Sequence, residues 1–198
     1  MKLPLSFYNR PDVVQISKEL LGKSLFTHFN GITTAGIITE TEAYCGATDR
    51  ACHAYPNKRT KRTETMFAEG GINYTYLCYG IHHLFNIVTN QKDQADAILI
   101  RAIEPNVGIE TMLERRNMIK IQPRLTAGPG CLTRALGIRT EHNGESLRGE
   151  VIWIEDNDRQ IAENQIVKTT RIGVDYAGED ALLPWRFYIE GNKWVSKK

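Results

Sequence analysis

One stretch constrains the fold more than any other. It runs from a strand pattern into a reactive cluster, Ile37-Ile38-Thr39-Glu40-Thr41-Glu42-Ala43-Tyr44-Cys45-Gly46, and continues to Asp49 and Cys52-His53. Residues 31–44 alternate well enough to read as a strand, and a period of two puts Ile32, Thr34, Ile38, Glu40, Glu42 and Tyr44 on one face. A face that begins apolar and ends acidic either emerges from the core into solvent or opens into a polar cleft. The pattern by itself leaves both readings open.

The chain has 198 residues, 41% of them hydrophobic, which suffices for one sizeable core and is short for two ordinary domains, so a single domain over 1–198 is expected. Lys and Arg number 25 against 23 Asp and Glu, and a net charge of +2 does not announce a nucleic-acid binder. The distribution says more. Between positions 50 and 62 stand Arg50, Lys58, Arg59, Lys61 and Arg62 without one acid. The four cysteines form no CxxC pair, which fits a reducing, cytoplasmic setting. Asn9, Arg10 and Pro11 interrupt the start before an apolar run forms, and no later stretch nears the ~20 apolar residues of a membrane-spanning helix.

Taken in order, Pro11 suits the first position of a helix carrying Val13, Ile16 and Leu20, with Gly22 as its stop. Residues 25–29 and 31–44 then read as strands joined by a tight turn at Asn30-Gly31. Residues 45–71 follow neither period and read as a long loop, of the kind that is usually functional. Its Lys58-Arg59-Thr60-Lys61-Arg62 run reads either as a phosphate contact or as a solvated charged loop. Residues 73–80 form a strand with Tyr74 and Tyr76 on one face; residues 84–89 and 97–103 form central strands. Arg101 interrupts the last of these, so it pairs with a carboxylate or sits at a cleft. Asn106 is expected to cap a helix reaching about Ile119, with Met112, Leu113 and Ile119 on its apolar side. Gly128-Pro129-Gly130 opens a short helix to Gly137, leaving amides free for an anion. Strands are expected at 151–155 and 185–190.

Several chemistries lack their signatures. Zinc favours short-spaced ligand pairs, and neither Cys45, Cys52 and His53 nor the adjacent His82-His83 supplies them, so no metal is expected. Glu40 and Glu42 lie two apart on a strand, roughly 6.6 Å along one side, whereas a glycosidase pair flanks its bond from different directions. One carboxylate acting on a water remains viable. No P-loop, GxSxG or HExxH is present, and no lysine neighbours Glu42 as a Schiff-base nucleophile.

Glu40-Thr41-Glu42-Ala43-Tyr44, His53-Ala54-Tyr55, Lys58 to Arg62, Met66-Phe67, Tyr74-Thr75-Tyr76-Leu77-Cys78-Tyr79-Gly80, Asn86, Leu99-Ile100-Arg101-Ala102 and Arg171-Ile172-Gly173 stand in an order that resembles the alkyladenine (3-methylpurine) DNA glycosylases. The resemblance runs from Phe7-Tyr8 to Trp194-Val195-Ser196. It implies an α+β domain with a curved, largely antiparallel sheet and surrounding helices. It also implies excision of 3-methyladenine, 7-methylguanine, hypoxanthine or ethenoadenine from duplex DNA by base flipping, without lyase activity. Glu42 then looks like the general base for the attacking water, and Arg101 like a group near that water and a phosphate. Tyr44 and Tyr76 look like the stacking walls, His53 like a pocket residue contacting the base or its sugar-phosphate, and Asn86 like the amide that disfavours the exocyclic amine of guanine. Tyr79 resembles the wedge that fills the vacated stack. Lys58, Arg59, Lys61, Arg62 and Gly130 are the expected DNA contacts.

No cofactor is expected, and the expected partner is double-stranded DNA carrying damaged purines, met by a monomer with no obligatory protein partner and no membrane. The setting is cytoplasmic and DNA-associated, or nuclear in a eukaryote. A non-catalytic nucleic-acid-binding module with an aromatic base pocket is the alternative. Pro56-Asn57 stand where the family has glycines, and Cys131 replaces a basic residue that often follows the Gly-Pro-Gly segment.

Overall fold

The computed structural model describes residues 1–197. Two short helices, α1 (Leu5–Tyr8) and α2 (Val13–Glu19), precede a hairpin of β1 (Ser24–Phe29) and β2 (Ile32–Tyr44). After the long loop come β3 (Ile72–Cys78), β4 (His82–Thr89) and β5 (Asp96–Val107), then α3 (Ile109–Arg115) and α4 (Pro129–Leu136). Three short strands, β6 (Ile152–Glu155), β7 (Ile166–Thr169) and β8 (Arg186–Ile189), complete the order. All eight strands join one antiparallel sheet in the order β3-β4-β5-β2-β1-β6, with β8 added to β2 and β7 to β8. The α+β class and the antiparallel sheet follow the expectation.

β2 is the hub. Along one edge it pairs with β5; along the other, β1 takes residues 32–37 and β8 takes residues 40–42. Asn30 and Gly31, with φ of 53° and 77°, make the two-residue turn whose backbone twist suits the β1–β2 hairpin. The main core gathers Leu25, Ile38, Phe85, Ile98 and Ile100 from the strands with Ile16 and Leu20 of the α2 region and Leu132 and Leu136 of α4. A second cluster forms where the loop over residues 45–71 packs on the sheet, Cys52, Ala54, Met66 and Phe67 meeting Tyr74, Val88 and Ala97, with Tyr44 and Tyr76 against its edge. The site lies beside this second cluster.

The register of β2 on β5 departs from simple alternation in a way that matters below. Ile38 faces Ile103 and Glu40 faces Ala102, so Thr39 is extra on β2; Thr41 then faces Ile100, so Arg101 is extra on β5. Two bulges, one per strand, cancel within a few residues. Bulges bend a strand and re-aim side chains. Thr39 and Glu40 consequently both bond the segment after β8, through Trp194 O and Ser196, while Thr41 bonds Ser17 of α2. The single face expected for Ile38, Glu40 and Glu42 is therefore broken at Thr39.

Other boundaries move for local reasons. Pro11 lies outside α2, because the Asp12 carboxylate accepts from Gln15 N at 2.9 Å and makes Asp12 the cap. β3 ends at Cys78, and Tyr79-Gly80, with φ of 51° and 73°, form the turn into β4. Asn106 caps nothing: β5 continues to Val107, and the chain turns at Gly108, where φ is +68° and a Cβ would lie 2.5 Å from Thr33 O. α3 stops at Arg115, with Asn117 left-handed two residues on, so Ile119 is 95% exposed and joins no apolar face. This yields a contrast. Leu25→Ala, at a position with 0% exposure, should cost about 2–5 kcal/mol in urea unfolding. Ile119→Ala should stay within about 0.5 kcal/mol; equal losses would contradict these placements.

Candidate active site

Glu42 is wholly buried at the end of β2. Its Oε1 accepts from Ile172 N at 2.8 Å, and its Oε2 accepts from the Tyr44 hydroxyl at 2.7 Å and lies 3.3 Å from Arg101 Nη1. A carboxylate offers about four lone-pair positions, so this arrangement leaves one on Oε1. Burial and the Glu42 charge hold the Tyr44 phenol well above its ordinary pKa, which keeps it a donor. The Arg171 guanidinium lies 4.8 Å from the centre of the Tyr44 ring.

Arg101 binds both glutamates. Nε donates to Glu40 Oε1 at 2.9 Å, and Nη2 to Ser196 Oγ at 3.3 Å. Burial alone would lower its pKa, but Glu42 and Glu40 outweigh that and raise it. Glu40 is also buried and accepts from Arg186 Nη1 at 2.9 Å, Ser196 Oγ at 2.9 Å and Ser196 N at 2.6 Å. Three of these four donors, counting Arg101 Nε, fall on Oε1 and one on Oε2. The two glutamates thus differ in their partners: Glu40 binds two guanidiniums and Ser196, whereas Glu42 shares one of those guanidiniums and is otherwise held by Tyr44 and Ile172.

Tyr44, His53, Tyr76, Asn86, Arg101 and Ile172 line one cleft of about 260 Å³. The Tyr76 ring meets His53 edge-on at 4.7 Å and Tyr74 at 5.5 Å, giving an aromatic wall. The Asn86 amide donates to the carbonyls of Tyr74 and Leu84 at 3.1 and 3.3 Å, committing its nitrogen to backbone. Tyr79 stands at the rim on its turn, 90% exposed. A second buried pair, Asp49 with Arg171, braces the cleft from behind, and Arg171 also donates to the carbonyls of Ala43 and Asp180, both at 2.9 Å.

The basic loop divides. Arg62 reaches His53 and lies over Tyr76 at 5.4 Å. Arg59 pairs with Asp93 and covers Phe67 at 4.5 Å. Lys58 and Lys61 are exposed and, among the described residues, pair with no carboxylate. Gly130, near the start of α4, has His82 so close that a Cβ would lie 2.8 Å from its ring nitrogen. It lines a separate groove of about 990 Å³ with Arg115, Arg116, Arg134 and Arg139. None of these four pairs with a carboxylate among the described residues, and burial together with Arg139 lowers the pKa of Arg115. Sequence reasoning passed over this groove, Arg186, Ser196 and the Asp49–Arg171 pair as parts of a site. Only Arg171-Ile172-Gly173 carried a signal, through the motif.

His53 has a definite protonation state. A guanidinium cannot accept, so Nε2 accepts from Arg62 Nη2 at 3.2 Å and the ring proton sits on Nδ1, 3.1 Å from the Tyr74 hydroxyl. Burial, aided by Arg62, pulls its pKa from 6.5 down to about 4. The unfolded chain takes up that proton near 6.5 and the folded one only near 4, so this contribution to stability is full above 6.5 and lost as pH falls toward 4. Comparing unfolding of the parent and His53→Gln across that window should show the variant losing less stability on acidification; parallel curves would contradict the assignment.

Comparison with known proteins identifies the family. Residues 6–193 match the family model described as methylpurine-DNA glycosylase. A protein of Clostridium perfringens (strain SM101 / Type A) is 46% identical over 100% of both chains, and one of Chlamydia felis 48% identical over 99% of both. A Bacillus cereus (strain AH187) protein is 44% identical over 100% of both. Each bears the name "Putative 3-methyladenine DNA glycosylase". The chain belongs to the methylpurine-DNA glycosylase family, enzymes that hydrolyse N-glycosyl bonds in DNA.

Proposed function

We propose that this protein, acting as a monomeric single domain, flips alkylated or deaminated purines out of duplex DNA. Candidate lesions are 3-methyladenine, 7-methylguanine, hypoxanthine and ethenoadenine, and the bond to deoxyribose is hydrolysed with a water activated by Glu42. The observation that carries the reading is the Glu42 carboxylate. It is buried and does not itself line the cleft, but the three groups that hold it, Tyr44, Arg101 and Ile172, all do.

The chemistry follows from the parts. Extrusion costs a few kcal/mol, least for damaged or poorly paired bases. Stacking on Tyr44 and Tyr76 returns on the order of 1–3 kcal/mol per aromatic ring, and Tyr79 at the exposed turn fills the gap in the duplex. As the bond from C1′ to the purine nitrogen breaks, its electrons leave with the base and the sugar becomes oxocarbenium-like. The fixed carboxylate stabilises that cation. Water then adds to C1′ and gives its proton to Glu42. A ring-methylated purine already carries positive charge and leaves as a neutral base. His53, neutral with a pKa of about 4, acts there as a hydrogen-bonding group and not as an imidazolium acid. Arg101, buried and engaged by Glu40, Glu42 and Ser196, serves to hold Glu42, which leaves phosphate contact to other groups.

Those other groups are the exposed Lys58 and Lys61 and the arginine-lined groove, which shares the β3–β4 hairpin with the cleft: Cys78 and Tyr79 line the cleft, and Ile81, His82 and His83 the groove. No helix among the described residues is long and apolar enough to cross a membrane.

Glu42→Gln should retain binding to a lesion-containing duplex and lose single-turnover excision by about 10²–10⁴-fold; equal rates would refute the assignment. Among the described residues no lysine bonds Glu42, so borohydride should trap no covalent DNA adduct during turnover, and an adduct would overturn the reading as a glycosylase without lyase activity. Arg134→Ala with Arg139→Ala should weaken binding to lesion and undamaged duplexes alike and flatten the plot of log affinity against log salt by about one for each phosphate that is no longer neutralised. An unchanged slope would remove the groove from the DNA path.

A further inference from the structure

The segment after β8 reaches into the ion network from a distance of some 150 residues in sequence, and its bonds fall on the partner of the reacting carboxylate. The Thr39 hydroxyl, on the β2 bulge, donates to Trp194 O at 2.6 Å, and the Trp194 ring is buried. Arg186 donates to Lys197 O at 2.8 Å and to Glu40 Oε1 at 2.9 Å. Between these anchors, Ser196 closes a ring. Its N–H donates to Glu40 Oε2 at 2.6 Å, its hydroxyl donates to Glu40 Oε1 at 2.9 Å, and that hydroxyl oxygen accepts from Arg101 Nη2 at 3.3 Å.

We propose that Ser196 is a positioning residue of the active site: its hydroxyl ties Arg101 to Glu40, and so fixes the guanidinium face that Arg101 turns to Glu42. This rests on the reading of Glu42 as the general base. Arg101 spends Nε on Glu40, Nη2 on Ser196 and Nη1 on Glu42, so its plane is set by three points. Without the serine hydroxyl only Glu40 holds the guanidinium on the side away from Glu42, and it gains freedom to swing about Nε. Glu42 then loses the ion-pair contact of Nη1 with Oε2 and is left with Tyr44 on Oε2 and Ile172 on Oε1, so its carboxylate is oriented less firmly. Misplacement of a reacting group by about 1 Å costs up to 10²-fold in rate, so an effect through Arg101 belongs in the rate of bond breaking and not in affinity. The cleft lining includes Arg101 and Ile172 but not Ser196, Glu40 or Glu42, so Ser196 reaches the cleft through Arg101.

The test is a set of variants assayed by single-turnover excision from a methylated duplex, with affinity measured on the same duplex after adding Glu42→Gln to each. Ser196→Ala keeps the backbone bond to Glu40, so it removes the hydroxyl without unseating the segment. The expected result is a rate about 10-fold lower with affinity unchanged within about twofold. In a double-mutant cycle with Glu40→Gln, the second change should add little, because both act through Arg101. A Ser196→Ala rate equal to the parent's, an affinity that falls as far as the rate, or losses that multiply in the cycle would each overturn the proposal. If Glu40→Gln fails to fold, the rate and affinity of Ser196→Ala decide alone. The parent separates the two readings: if it does not excise, the proposed reaction falls; if it excises and Ser196→Ala matches it, only the role of Ser196 falls.

Discussion

Everything near the cleft depends on how four buried charges neutralise one another. Glu40, Glu42, Arg101 and Arg186 are each 6% exposed or less, and two carboxylates meet two guanidiniums. Moving such ions from water costs several kcal/mol apiece, which geometry and extra hydrogen bonds must return. Here they do so unequally. Glu40 receives four donors, two of them from guanidiniums, whereas Glu42 shares Arg101 and takes its other donors from Tyr44 and Ile172. The asymmetry lies in where the donors stand: all three partners of Glu42 line the cleft, whereas of those of Glu40 only Arg101 does. Removing one member of such a network is commonly a loss of about 3–5 kcal/mol, so the arrangement is costly to alter piecemeal.

The paired bulges explain how a strand-borne arginine comes to face two strand-borne glutamates. In a regular ladder, neighbours on adjacent strands project to the same side in register, and Arg101 would compete with its flanking apolar residues for the core. As the extra residue on β5, beside Thr39 as the extra residue on β2, it is released from that alternation while the ladder resumes on both sides. The main core then continues through Ile100 and Ile103, at 0% exposure, on either side of a charge.

Much of this was legible beforehand. The alternation of residues 31–44, the Asn30-Gly31 turn and the acid placed late in the strand identified β2 and made Glu42 a candidate; the out-of-place charge at Arg101 called for a carboxylate, and Glu40 supplies one. What escaped has physical causes. A bulge has no residue signature, so the break at Thr39 was invisible to a period of two. Gly108 and Asn117, both at positive φ, bracket α3 more tightly than the cap expected at Asn106. Ser196 and Arg186 owe their roles to contacts spanning 156 and 146 residues, which local patterns do not encode. The basic loop offers fewer free charges than its count suggests, since Arg59 is occupied by Asp93, while guanidiniums with no carboxylate partner among the described residues line a groove assembled from four separate segments.

The Tyr79 turn has one more consequence. A tyrosine carries only two side-chain torsions, and this one sits on a two-residue turn closed by Ile81 N to Cys78 O at 3.1 Å, with its backbone already in the left-handed region and Gly80 beside it. The backbone order that an inserting side chain must acquire is therefore settled when the chain folds. The turn fixes only where the phenol leaves the backbone; the ring, 90% exposed, keeps both torsions free. Under the function proposed above, an inserting ring starts from a set origin and gives up that torsional freedom only on meeting the duplex.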